Sequence, residues 1–289
     1  MNKTYKKYGL LIIFFLLLVM DIFLLRLDWQ HSQKVFTFAM LYVGQGDALF
    51  IESPTGAQIL FDAGPARKIL GPLARVMPPL DRTIDAIVIT NPDADHIGGF
   101  LDILKNYKVD LVLEPGTQNS SKTFQNLKTE IQRQKIPNVL AKRGMKINLG
   151  GGAVIDILFP DRDVSSWGTN DGSVVARLSY GGTSVLLMGD ATAKTEKIIL
   201  EKNSSTYLRN DVLKVGHHGS RSSTYSALVQ SVAPAYALIS SGASNSYGHP
   251  HQEVLKTLVD AGAQIFRTDL LGTIILKSDG RRENFSFYK

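Results

Sequence analysis

Asn91-Pro92-Asp93-Ala94-Asp95-His96-Ile97-Gly98-Gly99 is the stretch on which the reading of this chain turns. An apolar, β-branched run, Ile84–Thr90, leads into it, and the segments behind it read as a helix over Phe100–Asn106 and a strand over Asp110–Leu113. Strand, polar loop, helix, strand is an α/β unit. The loop places Asp93, Asp95 and His96 within four residues. Carboxylates at i and i+2 repel one another, and a divalent cation relieves that repulsion. Gly98 and Gly99 let the next helix start close beneath such an ion.

Upstream, Val35–Val43, Ala48–Glu52 and Gln58–Phe61 read as strands, joined by the turns Gly44-Gln45-Gly46-Asp47 and Pro54-Thr55-Gly56. The last of these strands ends at Asp62. Downstream, Ser121–Gln134 reads as a helix with a serine cap. Lys146–Leu149 with Val154–Phe159, and Val174–Tyr180 with Ser184–Met188, read as hairpins across glycine turns. Asp190 then stands between an apolar strand and a helix over Ala193–Glu201. The motif pattern recurs as strand Val212–Val215, loop Gly216-His217-His218-Gly219-Ser220, helix Thr224–Val232 and strand Ala235–Ser240. A helix opened by Pro250 and two closing strands complete the chain. Two similar halves packed sheet on sheet, with helices outside, account for this order, and no low-complexity linker divides them.

The chain holds six histidines and no cysteine. Thiolate metal sites, redox pairs and cysteine nucleophiles are therefore excluded, and any metal must be held by imidazole and oxygen. His96, His217, His218, His249 and His251 all lie in glycine- or proline-punctuated loops after predicted strands, where sites are assembled on a rigid scaffold. Asp62 is placed to orient a ligand histidine, and Asp190 to bridge two ions or cap a helix. A net charge of +6 suits an anionic partner.

At the other end, Gly9–Leu25 is apolar except for Asp21, and Lys3, Lys6 and Lys7 precede it. About 20 apolar residues span a bilayer. The charge bias places the N-terminus in the cytoplasm, and no small-residue cleavage site follows in Leu27-Asp28-Trp29-Gln30. The expected organisation is a cytoplasmic segment over 1–8, a transmembrane anchor over 9–27, a linker over 28–35 and an extracytoplasmic domain over 36–289.

Taken together, Val43-Gly44-Gln45-Gly46-Asp47-Ala48, Phe61-Asp62-Ala63-Gly64, the Asn91–Gly99 stretch, Gly189-Asp190-Ala191, Lys214-Val215-Gly216-His217-His218-Gly219-Ser220 and Tyr247-Gly248-His249-Pro250-His251 resemble the metallo-β-lactamase fold family. More closely they resemble the hydrolase domain of bacterial DNA-uptake competence proteins and its free-standing relatives. The resemblance runs from about residue 36 to 278. It implies an αβ/βα four-layer sandwich with one or two divalent ions (manganese, zinc or magnesium) between the sheet edges. By position it implies Asn91, Asp93, Asp95, His96, Asn170, Asp190, His217 and His249 as metal ligands, with Asp190 bridging. His217, His218 and His249 join Asp190 as catalytic residues. Lys214, Ser220, Arg221 and His251 are implied at the substrate, and Asp47 and Asp62 behind the ligands. Asn91 departs from the pattern, because the family opens this motif with histidine and an amide oxygen is the weaker ligand.

The implied activity is metal-dependent hydrolysis of phosphodiesters, DNA foremost, with a water activated for attack at phosphorus and a histidine protonating the leaving oxygen. A role in DNA uptake would need a separate channel protein, since the chain carries no multi-helix pore region. Two alternatives remain: a small-molecule metallohydrolase acting on a phosphoester, lactone or amide, and a catalytically weak DNA-binding relative, which Asn91 favours.

Overall fold

A computed structural model describes residues 3–32 and 35–289. The chain divides into two compact units, Met1–Lys34 and Val35–Lys289. In the first, Lys3–Ser32 is one helix. The anchor expected over 9–27 is not upheld, and with it fall the membrane partner and the single-pass placement. Among the described residues, no helix is long and apolar enough to cross a membrane. The described exposed apolar side chains of this helix, Tyr8 apart, run from Leu11 to Leu24, broken by Asp21. The segments expected over 1–8 and 28–35 include residues 1–2 and 33–34, which lie outside the described residues.

The second unit holds two large sheets. The eight-stranded sheet runs Glu283–Tyr288, Thr273–Ser278, Phe36–Met40, Leu49–Glu52, Gln58–Phe61, Ala86–Val88, Val112–Glu114 and Asn138–Leu140. The seven-stranded sheet runs Gln264–Arg267, Tyr236–Ile239, Val212–Lys214, Thr183–Leu187, Val175–Tyr180, Ala153–Phe159 and Lys146–Gly150. Each sheet has an antiparallel flank built from hairpins and a parallel flank built from crossovers.

Side-chain alternation sorts the strands into layers. Phe36, Phe38 and Met40 point into a central core shared with Ile155, Val185 and Leu187 of the opposite sheet. Their neighbours Ala39 and Leu41 face outward, where Ile103, Leu104, Leu127 and Ile131 of helices Phe100–Asn106 and Lys122–Gln134 cover them. On the other sheet Leu186 and Met188 face Ile199, Leu228 and Leu258 of three further helices. Helix, sheet, sheet, helix is the order of the layers. Strands buried on both faces read as continuous apolar runs, and Ile84–Thr90 and Val212–Val215 have that form.

The parallel strands position the chemistry. Gln58–Phe61 and Ala86–Val88 in one sheet, and Thr183–Leu187, Val212–Lys214 and Tyr236–Ile239 in the other, carry at their carboxyl ends Asp62, the Asn91–His96 loop, Asp190, His217 with His218, and Ser240. Loops at the carboxyl ends of parallel strands are the usual place for a ligand in an α/β sheet.

Candidate metal centre

The short helix Ala94–Ile97 puts His96 into the interior with no exposure. Its loop is held close: a Cβ on Gly99 would sit 2.2 Å from the carbonyl oxygen of Ala63, and one on Gly46 would sit 2.1 Å from that of Asp95. Only glycine permits either approach.

Asp62 leaves its strand in the left-handed region (φ 55°) and accepts hydrogen bonds from the backbone N–H and hydroxyl of Thr90, at 2.8 and 2.5 Å. Its Oδ2 also lies 2.8 Å from His96 Nδ1. The carboxylate thus accepts a hydrogen bond from Nδ1 and turns Nε2 to the other side of the ring. His218 is held the same way by different groups. Its Nδ1 lies 3.0 Å from the carbonyl oxygen of Ser240 and 3.3 Å from Asp47 Oδ1, so its Nε2 is also free. His217 and His218 both adopt left-handed backbone, at φ 48° and 54°. Such geometry costs on the order of 1–3 kcal/mol per residue and persists where the surroundings impose it.

The two free imidazole nitrogens converge on carboxylates. His96 Nε2 is 3.0 Å from Asp190 Oδ2, and His218 Nε2 is 3.4 Å from Asp95 Oδ2 and 3.7 Å from Asp190 Oδ1. These are contacts without hydrogen bonds: His96 Nε2, His218 Nε2 and Asp190 Oδ1 are buried with no hydrogen-bonding partner. Donor atoms near one another but aimed at a common point rather than along a shared proton are the arrangement of ligands around a cation. Ligand atoms of Asp95, His96 and His218 lie within 4.8 Å of one another, with Asp190 beside both imidazoles, a nitrogen-and-oxygen donor set that fits a divalent ion such as zinc or manganese.

Electrostatics agree with the geometry. Burial raises the carboxyl pKa of Asp190, yet His96 and His218 outweigh it and hold that group well below the usual carboxylate range. Burial disfavours imidazolium at His96 and His218, but Asp190 with Asp62 or Asp47 overrides it, raising His96 strongly and His218 to about 9. So many buried carboxylates demand positive charge, from protons on these rings or from a cation.

Asn91, Asp93, Asn170 and His217 behave differently. Asn91 Oδ1 accepts from the N–H of Asp93 at 2.9 Å, and its Nδ2 donates to Asn170 Oδ1 at 2.6 Å. Both oxygens of Asp93 are taken at 2.8 Å, one by the amide of Asn119 and the other by the hydroxyl of Thr169. His217 has Nδ1 on the hydroxyl of Ser222 at 2.9 Å and Nε2 3.8 Å from Asp190 Oδ2. Burial pushes its pKa down. These groups largely satisfy one another, and Asn91, Asp93 and Asn170 are not turned toward a shared point.

The remaining expected residues fall into three situations. His249 packs its ring 5.7 Å from that of His217 and 6.4 Å from that of His218, and burial with three neighbouring histidines pushes it down to about 4. His251 stands at the start of the next helix without capping it, its Nδ1 accepting from the N–H of Arg221 at 3.2 Å, while the Arg221 side chain is exposed. Lys214 and Ser220 turn their side chains into the protein. Lys214 was expected at a phosphate, but it is wholly buried, bonded to Asp47 and to the carbonyl oxygen of Gly189. Ser220 is buried too, its hydroxyl 3.0 Å from that of Ser222 behind His217. Several contributors escaped sequence reasoning. Asn119 and Thr169 hold Asp93, and Glu196 accepts from the N–H groups of Thr224 and Tyr225 at 2.5 and 3.0 Å. Nothing local to these residues signals a site. A cavity of about 700 Å³ lies elsewhere, lined by Thr117, Phe124, Leu140, Lys142 and Val164 among others, and it includes none of the converging groups.

A family model described as the metallo-beta-lactamase superfamily matches residues 41–242. ComE operon protein 3 of Bacillus subtilis (strain 168) is 31% identical over 267 residues, covering 86% of this chain and 34% of that protein. Competence protein ComA of Neisseria gonorrhoeae is 27% identical over 235 residues, covering 80% of this chain and 30% of that protein. The chain thus spans about a third of the length of these relatives. Among solved structures, CmlA, a diiron β-hydroxylase from Streptomyces venezuelae, shares the fold at a TM-score of 0.52 and 15% identity, covering 88% of this chain and 54% of that one. With the αββα layers and the carboxylate–imidazole cluster in place, these matches establish that the chain belongs to the metallo-beta-lactamase superfamily.

Proposed function

We propose that this chain is a metal-dependent phosphodiesterase with DNA as its substrate, working with one divalent ion in a process of the DNA-uptake kind. The observation that carries the reading is the meeting of three unpartnered buried atoms, His96 Nε2, His218 Nε2 and Asp190 Oδ1, beside the half-open Asp95. His96, His218, Asp95 and Asp190 would hold the ion. A divalent ion there supplies Lewis-acid charge neutralisation at the scissile group and makes water easier to deprotonate.

The protein's own groups supply the rest. Asp62 and the carbonyl oxygen of Ser240 would keep the Nε2 faces of His96 and His218 unprotonated when a cation is present, by accepting hydrogen bonds from the Nδ1 sides. His217, its Nδ1 fixed by Ser222, presents Nε2 3.8 Å from Asp190 Oδ2, where it would take up and return a proton. Arg221 is the exposed cation available to a flanking phosphate. Asn91, Asp93 and Asn170 are satisfied without an ion, which supports a single-ion centre rather than a pair. The relatives' link to competence favours DNA over a small ester.

The test is direct. The full chain is stripped with chelator, then given manganese, zinc or magnesium in turn. Cleavage of plasmid and oligonucleotide is followed against chromogenic phosphate and carboxylate esters. Metal-restored cleavage of DNA that disappears in Asp190→Asn and His96→Ala is expected. Turnover of small esters alone, or of nothing with any metal, refutes the proposal.

A further inference from the structure

A large aromatic ring stands beside the centre with one face unused. Tyr247 is 64% exposed, yet its loop is pinned by a single side chain. Asn245 Nδ2 donates to the carbonyl oxygens of Gly242 and His249 at 3.0 and 2.7 Å. Asn245 Oδ1 accepts from the N–H groups of Tyr247 and His249 at 3.2 and 3.0 Å. One face of the Tyr247 ring stacks on His249, centroids 5.6 Å apart and planes 22° from parallel. The rings of His217 and His218 also neighbour His249, with centroids at 5.7 and 6.4 Å. Tyr247 thus joins the proposed catalytic groups through a ring, His249, that contacts both. Next to it, His251 lies 4.9 Å from His249 and accepts from the N–H of Arg221, whose guanidinium is exposed.

From this placement we infer that Tyr247 is a stacking platform for a nucleobase next to the scissile phosphate, and that single-stranded DNA is the form of substrate this centre takes. The substrate form rests on the proposed phosphodiesterase activity. A pinned loop loses little freedom when a base settles on the ring, and Arg221, whose backbone is held at His251, offers an exposed cation to the strand's phosphate. Stacking is tolerant of sequence because every base has a π-face. A duplex keeps its bases stacked on one another, so it must unstack before it can use the platform. The chain order hides this arrangement, since Tyr247 and Arg221 come from separate loops and no basic–aromatic run joins them.

Binding without turnover isolates the claim. The full chain in chelator is titrated into fluorescein-labelled oligothymidylate of on the order of ten nucleotides, and into an abasic deoxyribose-phosphate strand of equal length, with anisotropy as readout. The wild type binds the base-bearing strand about tenfold tighter. Tyr247→Ala removes that preference, and Tyr247→Phe, which keeps the ring, retains it. Equal affinities in the wild type, or a preference that survives Tyr247→Ala, overturn the inference. Circular dichroism establishes that each variant is folded. Cleavage of the same strands with manganese is scored separately. A base preference without cleavage supports the platform and overturns the hydrolase reading alone.

Discussion

Replacing Lys214 by methionine separates two roles for a residue that sequence alone places at the substrate. Lys214 is fully buried and Asp47 is 1% exposed, and the ammonium is bonded to that carboxylate and to the carbonyl oxygen of Gly189. Without it, Asp47 keeps His218 Nδ1 at 3.3 Å as its nearest counter-charge. Removing one partner of a buried ion pair costs about 3–5 kcal/mol, most of it the penalty of an uncompensated charge. For a domain of this size each kcal/mol lowers Tm by about 2–4 °C, so a fall of about 10 °C is expected. Calorimetry on chelator-treated protein at pH 7 keeps metal binding from masking the loss.

The pH dependence carries a sign. In the wild type, burial raises the Asp47 pKa, but Lys214 and His218 outweigh it and hold it down to about 2. A depressed carboxylate contributes stability above its unfolded value, lost as pH falls from about 4 toward 2. In Lys214→Met the burial effect loses its main opponent, Asp47 titrates higher, and protonation relieves the strain. The deficit relative to wild type therefore shrinks between pH 7 and 4. Adding Asp47→Leu recovers most of the loss, because an apolar pair can replace a buried ion pair at little cost. A Tm within about 2 °C of wild type, or a double variant less stable than the single one, would refute this account and return Lys214 to the substrate.

Three further outcomes are expected from the same geometry. Elemental analysis after dialysis against manganese gives one ion per chain in the wild type and two in Asn91→His, which breaks the Asn91–Asn170 bond and supplies a second imidazole; two ions in the wild type would refute the single-ion reading. Burial raises Glu196 to about 7 from an ordinary 4.5, so the folded chain holds that proton more tightly than the unfolded one. Stability then falls by about 3 kcal/mol as pH rises from about 4.5 to 7, and denaturant unfolding of Glu196→Gln at pH 5 and 8 should show a flatter slope than wild type. Gly46→Ala must fit a Cβ at φ 129° and 2.1 Å from the carbonyl oxygen of Asp95. It should cost more than about 1 kcal/mol and weaken metal uptake in a calorimetric titration, an unchanged affinity being the refuting result.

What the sequence makes legible here is whatever depends on neighbours in the chain. The apolar run before Asn91 and the glycines after His96 state a strand, a loop and a tightly seated helix, because strand burial and glycine's freedom are local properties. Glycine turns likewise mark the hairpins. The same locality misled at the first helix, where the apolar stretch read as a membrane span that the structure does not uphold. Nor does it reveal that Lys214 and Ser220, in a motif facing the site, turn their side chains into the protein. A strand sends alternate side chains to opposite faces, and spacing alone does not say which face a loop's first residue takes. Asn119, Thr169 and Glu196 were out of reach because each acts on a residue 26 or more positions away.

Ion number is set by where the charges are already met. Asp47, Asp62, Asp95 and Asp190 gather around two imidazoles, with Lys214 bonded to Asp47. Three carboxylates are then left without a fixed cation among these groups. One divalent ion brings that excess close to balance and gives the three orphaned atoms their partner. A second ion would need Asp93, yet Asn119 and Thr169 already occupy both of its oxygens, and Asn91 has turned its amide oxygen to the backbone. Breaking those bonds to seat a second cation would exchange satisfied dipoles for the weak donor Asn91, with no imidazole in its place. Asn91 and the hydrogen bonds that hold it to Asp93 and Asn170 therefore act together, and both favour a centre that works with a single ion.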